Sequence, residues 1–239
     1  MLRLEASRAG EILACARRAQ WLIRNRPVRD PVMTAAQLVG EFTHRRWLYD
    51  PPAEAFAAAP GGRPVRWDKV TPDLRTAVRQ SERCARLAED LLDHVSGGAP
   101  KRVEEQTEHP LEWPVAAGEL EVRARADLTW RNGERRLCVA ELKTGKQRPA
   151  DVMQLAMTAA AAGEADVTGW LLYVPRDGSV PVAKRYDAEE MEVIVESLAQ
   201  AWFGLHHPVP SWQCETCPVE TCRAGRAEEF RLPPETYTP

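Results

Sequence analysis

The stretch Val139–Lys146, VAELKTGK, ends an apolar β-like run with a carboxylate and an ammonium two residues apart, Glu141 and Lys143. Successive side chains on a strand point to opposite faces. Glu141 and Lys143 therefore share a face, while Leu142 between them points into the core. Upstream, ARADLTW places Asp127 on a second strand-like stretch. Two carboxylates and an ammonium suit metal-assisted phosphodiester hydrolysis. Hard oxygen ligands hold a divalent cation against a phosphate oxygen and lower the pKa of a bound water, and a lysine beside that water stabilises hydroxide and the developing charge. Taken alone, Glu-x-Lys reads more readily as a salt-bridged strand end.

The turn between the two strands decides whether these groups meet. With a two-residue Asn132-Gly133 loop, Asp127 pairs with Cys138, and Glu141 and Lys143 face away from it. With a three-residue loop, Arg131 pairs with Arg135 and Asp127 with Val139, so Asp127, Glu141 and Lys143 share one face. Hydrolytic chemistry requires the second register or an equivalent bulge. Leu128, Ala126 and Ala124 then share the opposite face with Cys138, Ala140 and Leu142.

Helical spacing covers residues 5–25, with Ser7 as N-cap, and residues 35–50, capped by Thr34 and stopped at Pro51-Pro52. PPAEAFAAAPGGRPVRWDKVTP reads as a surface excursion, and residues 73–95 as a third helix ended by SGGAP. The period then changes. KRVEEQTEHPLEWPV, GELEVRARADLTW and ERRLCVAELKT are strand-like. Residues 150–162 form a helix ending at Gly163, VTGWLLYVPRDGSVPVAKRY folds back at Asp177-Gly178, and Asp187 caps a helix to about Leu205. This order predicts an α/β fold with a mixed central sheet flanked by helices. We read 1–239 as a single domain: a helical part at 1–98, a strand-rich core at 99–186, and a C-terminal helix with a cysteine tail at 187–239.

The chain has 239 residues and a net charge of −3, which excludes nucleic-acid binding through bulk positive charge but not through a local groove. Residues 1–50 hold nine arginines against five acids, which marks either a site for an anionic partner or a solvated helix face. No apolar run approaches a membrane span and the N-terminus lacks an apolar signal centre, so the expected location is cytoplasmic, without membrane contact. Of six cysteines, Cys214, Cys217 and Cys222 cluster as Cys-x₂-Cys-x₄-Cys. A fourth ligand from His206 or His207 would make a structural zinc site. An iron–sulfur cluster would draw instead on distant Cys15, Cys84 or Cys138, the last two of which read as packing residues.

Together these features resemble the PD-(D/E)XK nuclease superfamily, in particular its RecB-like branch. There the key strand reads as an apolar run, an acid, any residue and Lys-Thr-Gly, as CVAELKTGK does. GEFTH supplies the branch's Gly-x-x-x-His as Gly40 and His44, and Gln154 keeps the glutamine of a Gln-x-x-x-Tyr helix whose tyrosine is Thr158 here. The resemblance implies a restriction-endonuclease-like core. It implies Mn²⁺ or Mg²⁺ held by His44, Asp127, Glu141 and the Leu142 carbonyl, with Lys143 at the attacking water and Gln154 beside it. It also places a glutamate on the preceding strand, Glu104 or, preferably, Glu105.

In iron–sulfur members of the branch, including AddB-type helicase-nucleases and CRISPR-associated exonucleases, one N-terminal cysteine joins three C-terminal ones. The N-terminal motif is similar to SRAGEILACARRAQW, with Ala16 replacing a proline. The resemblance thus implies a [4Fe–4S] cluster on Cys15, Cys214, Cys217 and Cys222 joining the two ends of the chain, with Zn²⁺ as the alternative. Arg17, Arg18, Lys146 and Arg148 are candidate phosphate contacts. The implied activity is exonucleolytic attack on single-stranded DNA ends or overhangs, with CRISPR spacer acquisition as one setting and an integrase complex or a helicase as partner. The alternative is a non-catalytic or weakly catalytic DNA-end-binding subunit of a repair, recombination or defence complex.

Overall fold

A computed structural model describes residues 2–25, 32–49, 64–67, 71, 73–97, 109–112 and 120–202. Glu104, Glu105, His206, His207, Cys214, Cys217 and Cys222 lie outside the described residues, as does most of the surface excursion after Pro51.

The chain begins with a short strand, β1 (Leu2–Glu5), and a 3-10 turn over Ala6–Arg8, followed by α1 (Gly10–Asn25). A helix from residue 5 capped by Ser7 is therefore incorrect, because Ser7 lies inside the 3-10 turn and residues 2–5 pair in parallel with residues 120–123. That pairing partner is more than a hundred residues away and leaves no local signal. Helix α1 is itself interrupted at Cys15, whose backbone is extended (φ −169°, ψ 105°).

After β2 (Met33–Thr34), helix α2 (Ala35–Tyr49) starts with the expected cap. The Gln37 amide donates to Thr34 Oγ1, and the Thr34 amide donates to Gln37 Oε1, which is a reciprocal capping box. Strand β3 (Val65–Arg66) pairs with β2. Helix α3 (Leu74–Ser96) is capped by Asp73, whose carboxylate accepts from the Thr76 amide, and ends at left-handed Gly97, the favoured stop for a helix.

The run GELEVRARADLTW divides into β5 (Leu120–Ala124) and β6 (Leu128–Arg131). Strand β5 lies between β1 and β4 (His109–Glu112) in a three-stranded sheet. Strand β6 opens a four-stranded sheet in the order β6-β7-β8-β9, formed with β7 (Leu137–Lys143), β8 (Val167–Tyr173) and β9 (Val182–Tyr186). Strands β7 and β8 are parallel and β6 and β9 antiparallel to them. Helix α4 (Pro149–Ala161) makes the crossover that a parallel pair requires, and α5 (Ala188–Trp202) follows β9. This is the expected mixed α/β architecture. No described helix is long and apolar enough to cross a membrane.

The sheet is covered on both faces. Leu128, Trp130, Cys138, Ala140, Leu142 and Leu172 pack against Cys84, Ala85, Ala88 and Leu92 of α3 and Trp47 of α2. On the opposite face, Val139, Leu171 and Tyr173 meet Leu155, Ala156 and Ala159 of α4 and Met191 of α5. Gly169 of β8 admits these helices, since a Cβ there would lie 2.8 Å from Leu155 Cδ2 and 2.7 Å from Met191 Sδ. Ala124 and Ala126 do not join Leu128 as expected. Ala124 belongs to the core around β1 and α1, and Ala126 packs on the Val139 side, because the chain changes sheets between β5 and β6.

Candidate active site

Strand register sets the site. Leu128 pairs with Ala140 and Arg131 with Leu137, so the β6–β7 loop has five residues, 132–136, where three were expected. Asn132 organises it. Its side-chain oxygen accepts from the amides of Glu134 and Arg136 at 3.0 Å each, and Arg135 takes the left-handed conformation (φ 62°). Two added residues preserve the alternation of faces. Asp127, in the bend one step before Leu128, is thereby brought to the Glu141-Leu142-Lys143 end of β7.

Helix α2 brings His44 to this edge. Gly40 allows its approach, since a Cβ there would lie 3.2 Å from Thr144 Oγ1, just after β7. The spacing of four puts His44 one turn along the same helix face. His44 Nδ1 lies 3.3 Å from Asp127 Oδ1, with about a third of the imidazole side chain exposed (32%). Asp127 Oδ2 accepts from the Leu142 amide at 2.8 Å.

Glu141 is buried, at 1% exposure. Its Oε2 accepts from Lys143 Nζ (3.2 Å) and Gln154 Nε2 (2.7 Å), and its Oε1 from the Thr158 hydroxyl (3.2 Å). Lys143 Nζ also donates to Gln154 Oε1 at 2.8 Å, closing a three-membered network. Residues 154 and 158 are a helical turn apart on the buried face of α4, so both reach Glu141.

The charges act on one another. Burial raises the Glu141 pKa, repulsion from Asp127 adds to it, and the group is pushed up to about 7 despite Lys143. Burial would also raise Asp127, but the charge and hydrogen bond of His44 outweigh it and hold Asp127 below the usual range. For His44, burial favours the neutral ring, yet Asp127 raises its pKa. Lys143 is likewise raised, by Glu141 and Asp127 against the effect of burial. Burial and mutual repulsion, with His44 on one of the two, thus push the neighbouring carboxylates apart, Glu141 up and Asp127 down.

An imidazole nitrogen and two carboxylates are the donor types that Mn²⁺ or Mg²⁺ accepts, and a divalent cation would relieve the repulsion at Glu141. Among the described residues, no three His, Cys, Asp or Glu side chains already converge at ligand spacing. The Glu141 carboxylate is engaged by Lys143, Gln154 and Thr158 instead.

The structure therefore brings together His44, Asp127, Glu141, Leu142, Lys143 and Gln154. Lys146 and Arg148 lie exposed on the connection to α4. Cys15, Arg17 and Arg18 lie on α1, outside this network. Cys84 and Cys138 are buried in the core, where burial raises both thiol pKa values. Three contributors were not assigned from sequence. Thr158 holds Glu141, Thr144 packs at Gly40, and the Tyr173 hydroxyl donates to Asp151 Oδ2 at 3.1 Å. Asp151 also accepts the Arg148 amide, fixing the start of the helix that carries Gln154. The spacing of Gln154 and Thr158 was the available signal for the first.

The family model of the PD-(D/E)XK nuclease superfamily matches residues 3–222. No curated protein matches the chain. Among solved structures, the chain is similar to one described as "Crystal structure of SSO0001", at 15% identity and a TM-score of 0.35, over 84% of this chain and 90% of that one. That likeness is too loose to bear on function.

Proposed function

The chain belongs to the PD-(D/E)XK nuclease superfamily, whose members are nucleases, and on that premise we propose that it is a divalent-metal-dependent DNA nuclease of the RecB-like branch, acting on single-stranded ends or overhangs. The observation that carries the reading is the hold of Asp127 on the Leu142 amide beside Glu141, with His44 on the first carboxylate and Lys143 on the second.

In this reading His44, Asp127, Glu141 and the Leu142 carbonyl hold Mn²⁺ or Mg²⁺. The bound ion supplies Lewis-acid polarisation of the phosphate and a lowered pKa for the attacking water. Lys143 keeps its proton, since its pKa is raised. It therefore works as a fixed positive charge that orients the water and stabilises charge on the phosphate, rather than as a base. Gln154 bonds both Lys143 and Glu141 and so fixes the distance between ligand and cation. Loading the site needs neutral His44 and ionised Glu141, so metal uptake releases protons.

The proposal extends to a [4Fe–4S] cluster on Cys15, Cys214, Cys217 and Cys222. The break of α1 at Cys15 supports it, because the residue is partly exposed and its backbone is outside the regular helix. We read the chain as a single domain stapled at its ends in this way. Spacer acquisition with an integrase complex, or end processing with a helicase, rests on the family resemblance of the motifs.

Lys143→Ala and Asp127→Ala are expected to abolish Mn²⁺-dependent digestion of labelled single-stranded DNA while the far-ultraviolet circular dichroism stays unchanged; undiminished digestion sinks the catalytic assignment. Anaerobically purified protein should be brown and contain iron and sulfide. A colourless protein with one zinc replaces the cluster with the alternative metal.

A further inference from the structure

Helix α3 carries Arg75, Arg79, Arg83 and Arg86, all exposed. At 3.6 residues per turn they fall within an arc of about 80°, and at 1.5 Å per residue they span about 17 Å. The opposite side of the helix is occupied, with Ala77, Cys84, Ala85, Ala88 and Leu92 buried in the core. The arginines thus form a stripe along the outer surface.

This arrangement works against the helix. Partial positive charge gathers at a helix N-terminus and negative charge at its C-terminus, so cations are favoured late and anions early. Helix α3 departs from this order, with Arg75 in its first turn and Asp90 and Asp93 towards its end beside His94. The acids nearest the stripe on α3 are Glu82, Glu89 and Asp90, and Glu82 is paired with α2. On neighbouring α2, Arg45 pairs with Glu41 at 3.1 Å and Arg46 with Glu82 at 3.4 Å. Among the described residues, Arg79 and Arg86 form no ion pair, although Asp90 lies one turn beyond Arg86, and Arg75 lies only near the cap carboxylate of Asp73. Exposed arginines aligned on one side of the helix, two of them without an ion pair among the described residues, point to an external polyanion.

The stripe is also joined to the site. Arg83 Nη2 donates to the carbonyls of Arg176 (2.9 Å) and Pro175 (3.3 Å). These residues follow β8, whose last residue, Tyr173, pairs with Lys143. Lys146, just beyond Lys143, acts on Asp177 in the same loop. Basic groups therefore run from the Lys143 end of the sheet, over the loops at 144–148 and 174–178, onto α3. Beyond Arg86, Asp90 and Asp93 end the basic stripe on α3.

We propose that Arg75, Arg79, Arg83 and Arg86 form a phosphate-binding track that carries the nucleic-acid backbone flanking the cut. This rests on the nuclease reading and adds the path of the substrate away from the site. Arginine suits the role because its planar guanidinium binds phosphate through two parallel hydrogen bonds.

The test compares the full chain with R75Q/R79Q/R86Q and R75K/R79K/R86K, leaving the anchored Arg83 intact. Binding of labelled single-stranded DNA, and of duplex DNA with a single-stranded overhang, is measured in EDTA over a range of salt. The slope of log K against log salt should become shallower in the glutamine variant by about 2 for a single strand, or nearer 3 for duplex contacts. Affinity at low salt should fall at least about tenfold, and the lysine variant should keep the steep slope. The substrate that loses slope identifies the strand or duplex on the track. Mn²⁺-dependent cleavage of an oligonucleotide too short to reach α3 should be equal in all three proteins. Unchanged slopes on both DNAs overturn the track even if cleavage is normal. A wild-type chain that binds with the expected slopes but cleaves nothing overturns the nuclease reading and leaves the track standing.

Discussion

The two faces of β7 are made by alternate residues of one heptapeptide, yet opposite requirements shape them. Cys138, Ala140 and Leu142 meet α3 and Trp47 in an apolar contact without charge. Val139, Glu141 and Lys143 face α4, where a carboxylate at 1% exposure is surrounded by an ammonium, an amide and a hydroxyl. Burying an apolar side chain removes surface from water and stabilises the fold. Burying a carboxylate costs free energy even when it is fully hydrogen-bonded. The strand therefore combines a face that holds the protein together with a face that weakens it, as expected where a site is built for a ligand that the folded chain alone does not supply.

Glu141→Gln tests this contrast most severely. Glutamine keeps the shape, accepts from Lys143 and Gln154 through its oxygen, and can donate its amide to the Thr158 hydroxyl. Cleavage should fall at least about a hundredfold, while the metal-free protein melts at the same temperature or higher at pH 8. A large loss of metal-free stability would show that the ionised carboxylate supports the fold, and the contrast between the faces would fail.

Leu142→Ala is the mirror experiment. The side chain is fully buried, so its truncation should cost about 2–5 kcal/mol, with each kcal/mol lowering the melting temperature by roughly 2–4 °C for a chain of this length. The Leu142 amide to Asp127 and the Leu142 carbonyl belong to the backbone and survive. Turnover per folded molecule at low temperature should therefore change far less than stability. Loss of turnover without loss of stability would break the comparison from the other side.

The same alternation governed what the sequence disclosed. Period-two patterning marked β7 and put Glu141 and Lys143 on one face, and two extra loop residues kept the parity that brings Asp127 to them from the bend before β6. The loop length itself depends on Asn132 bonding two amides and on Arg135 accepting a positive φ, features without periodicity. Strand β1 and the division of β5 from β6 were hidden because parallel pairing of residues 2–5 with 120–123 is a long-range event. Gly40 and His44 were legible as a spacing, but the contact that requires the glycine is with Thr144, about a hundred residues away in sequence.

A pH series gives a smaller effect with a definite sign. Glu141 titrates near 7 in the folded chain against an ordinary 4.5, and His44 is raised above 6.5. Over the range between these values the folded state holds more protons than the unfolded state, so stability is complete at lower pH and declines as pH rises through the folded values. Asp127 has the opposite sign, but its pKa is lowered from 3.8 and acts only in stronger acid. In EDTA the melting temperature should drop by a few degrees between pH 6 and pH 8. Saturating Mn²⁺ should remove or reverse the drop, because the ion favours the deprotonated ligands. Glu141→Gln should flatten the metal-free profile, and a rise with pH in EDTA would contradict the charge balance assigned to the site.

The smallest expected effect lies at Thr158, on the polar face but one step from the reacting groups. Its single hydroxyl proton is divided between Glu141 Oε1 at 3.2 Å and the Gln154 carbonyl at 2.9 Å, and that carbonyl is already within helix α4. Thr158→Val keeps the volume and removes one hydrogen bond to a carboxylate that retains two others, so stability should change by only about 1 kcal/mol. If the hydroxyl serves to hold Glu141 in its orientation, the variant should need a severalfold higher Mn²⁺ concentration for half-maximal cleavage, with nearly normal turnover once metal saturates. Thr158→Ser should restore the metal dependence. A packing role alone predicts the reverse pattern: normal metal dependence in the valine variant, which fills the same space, and a defect in serine, which lacks the methyl group.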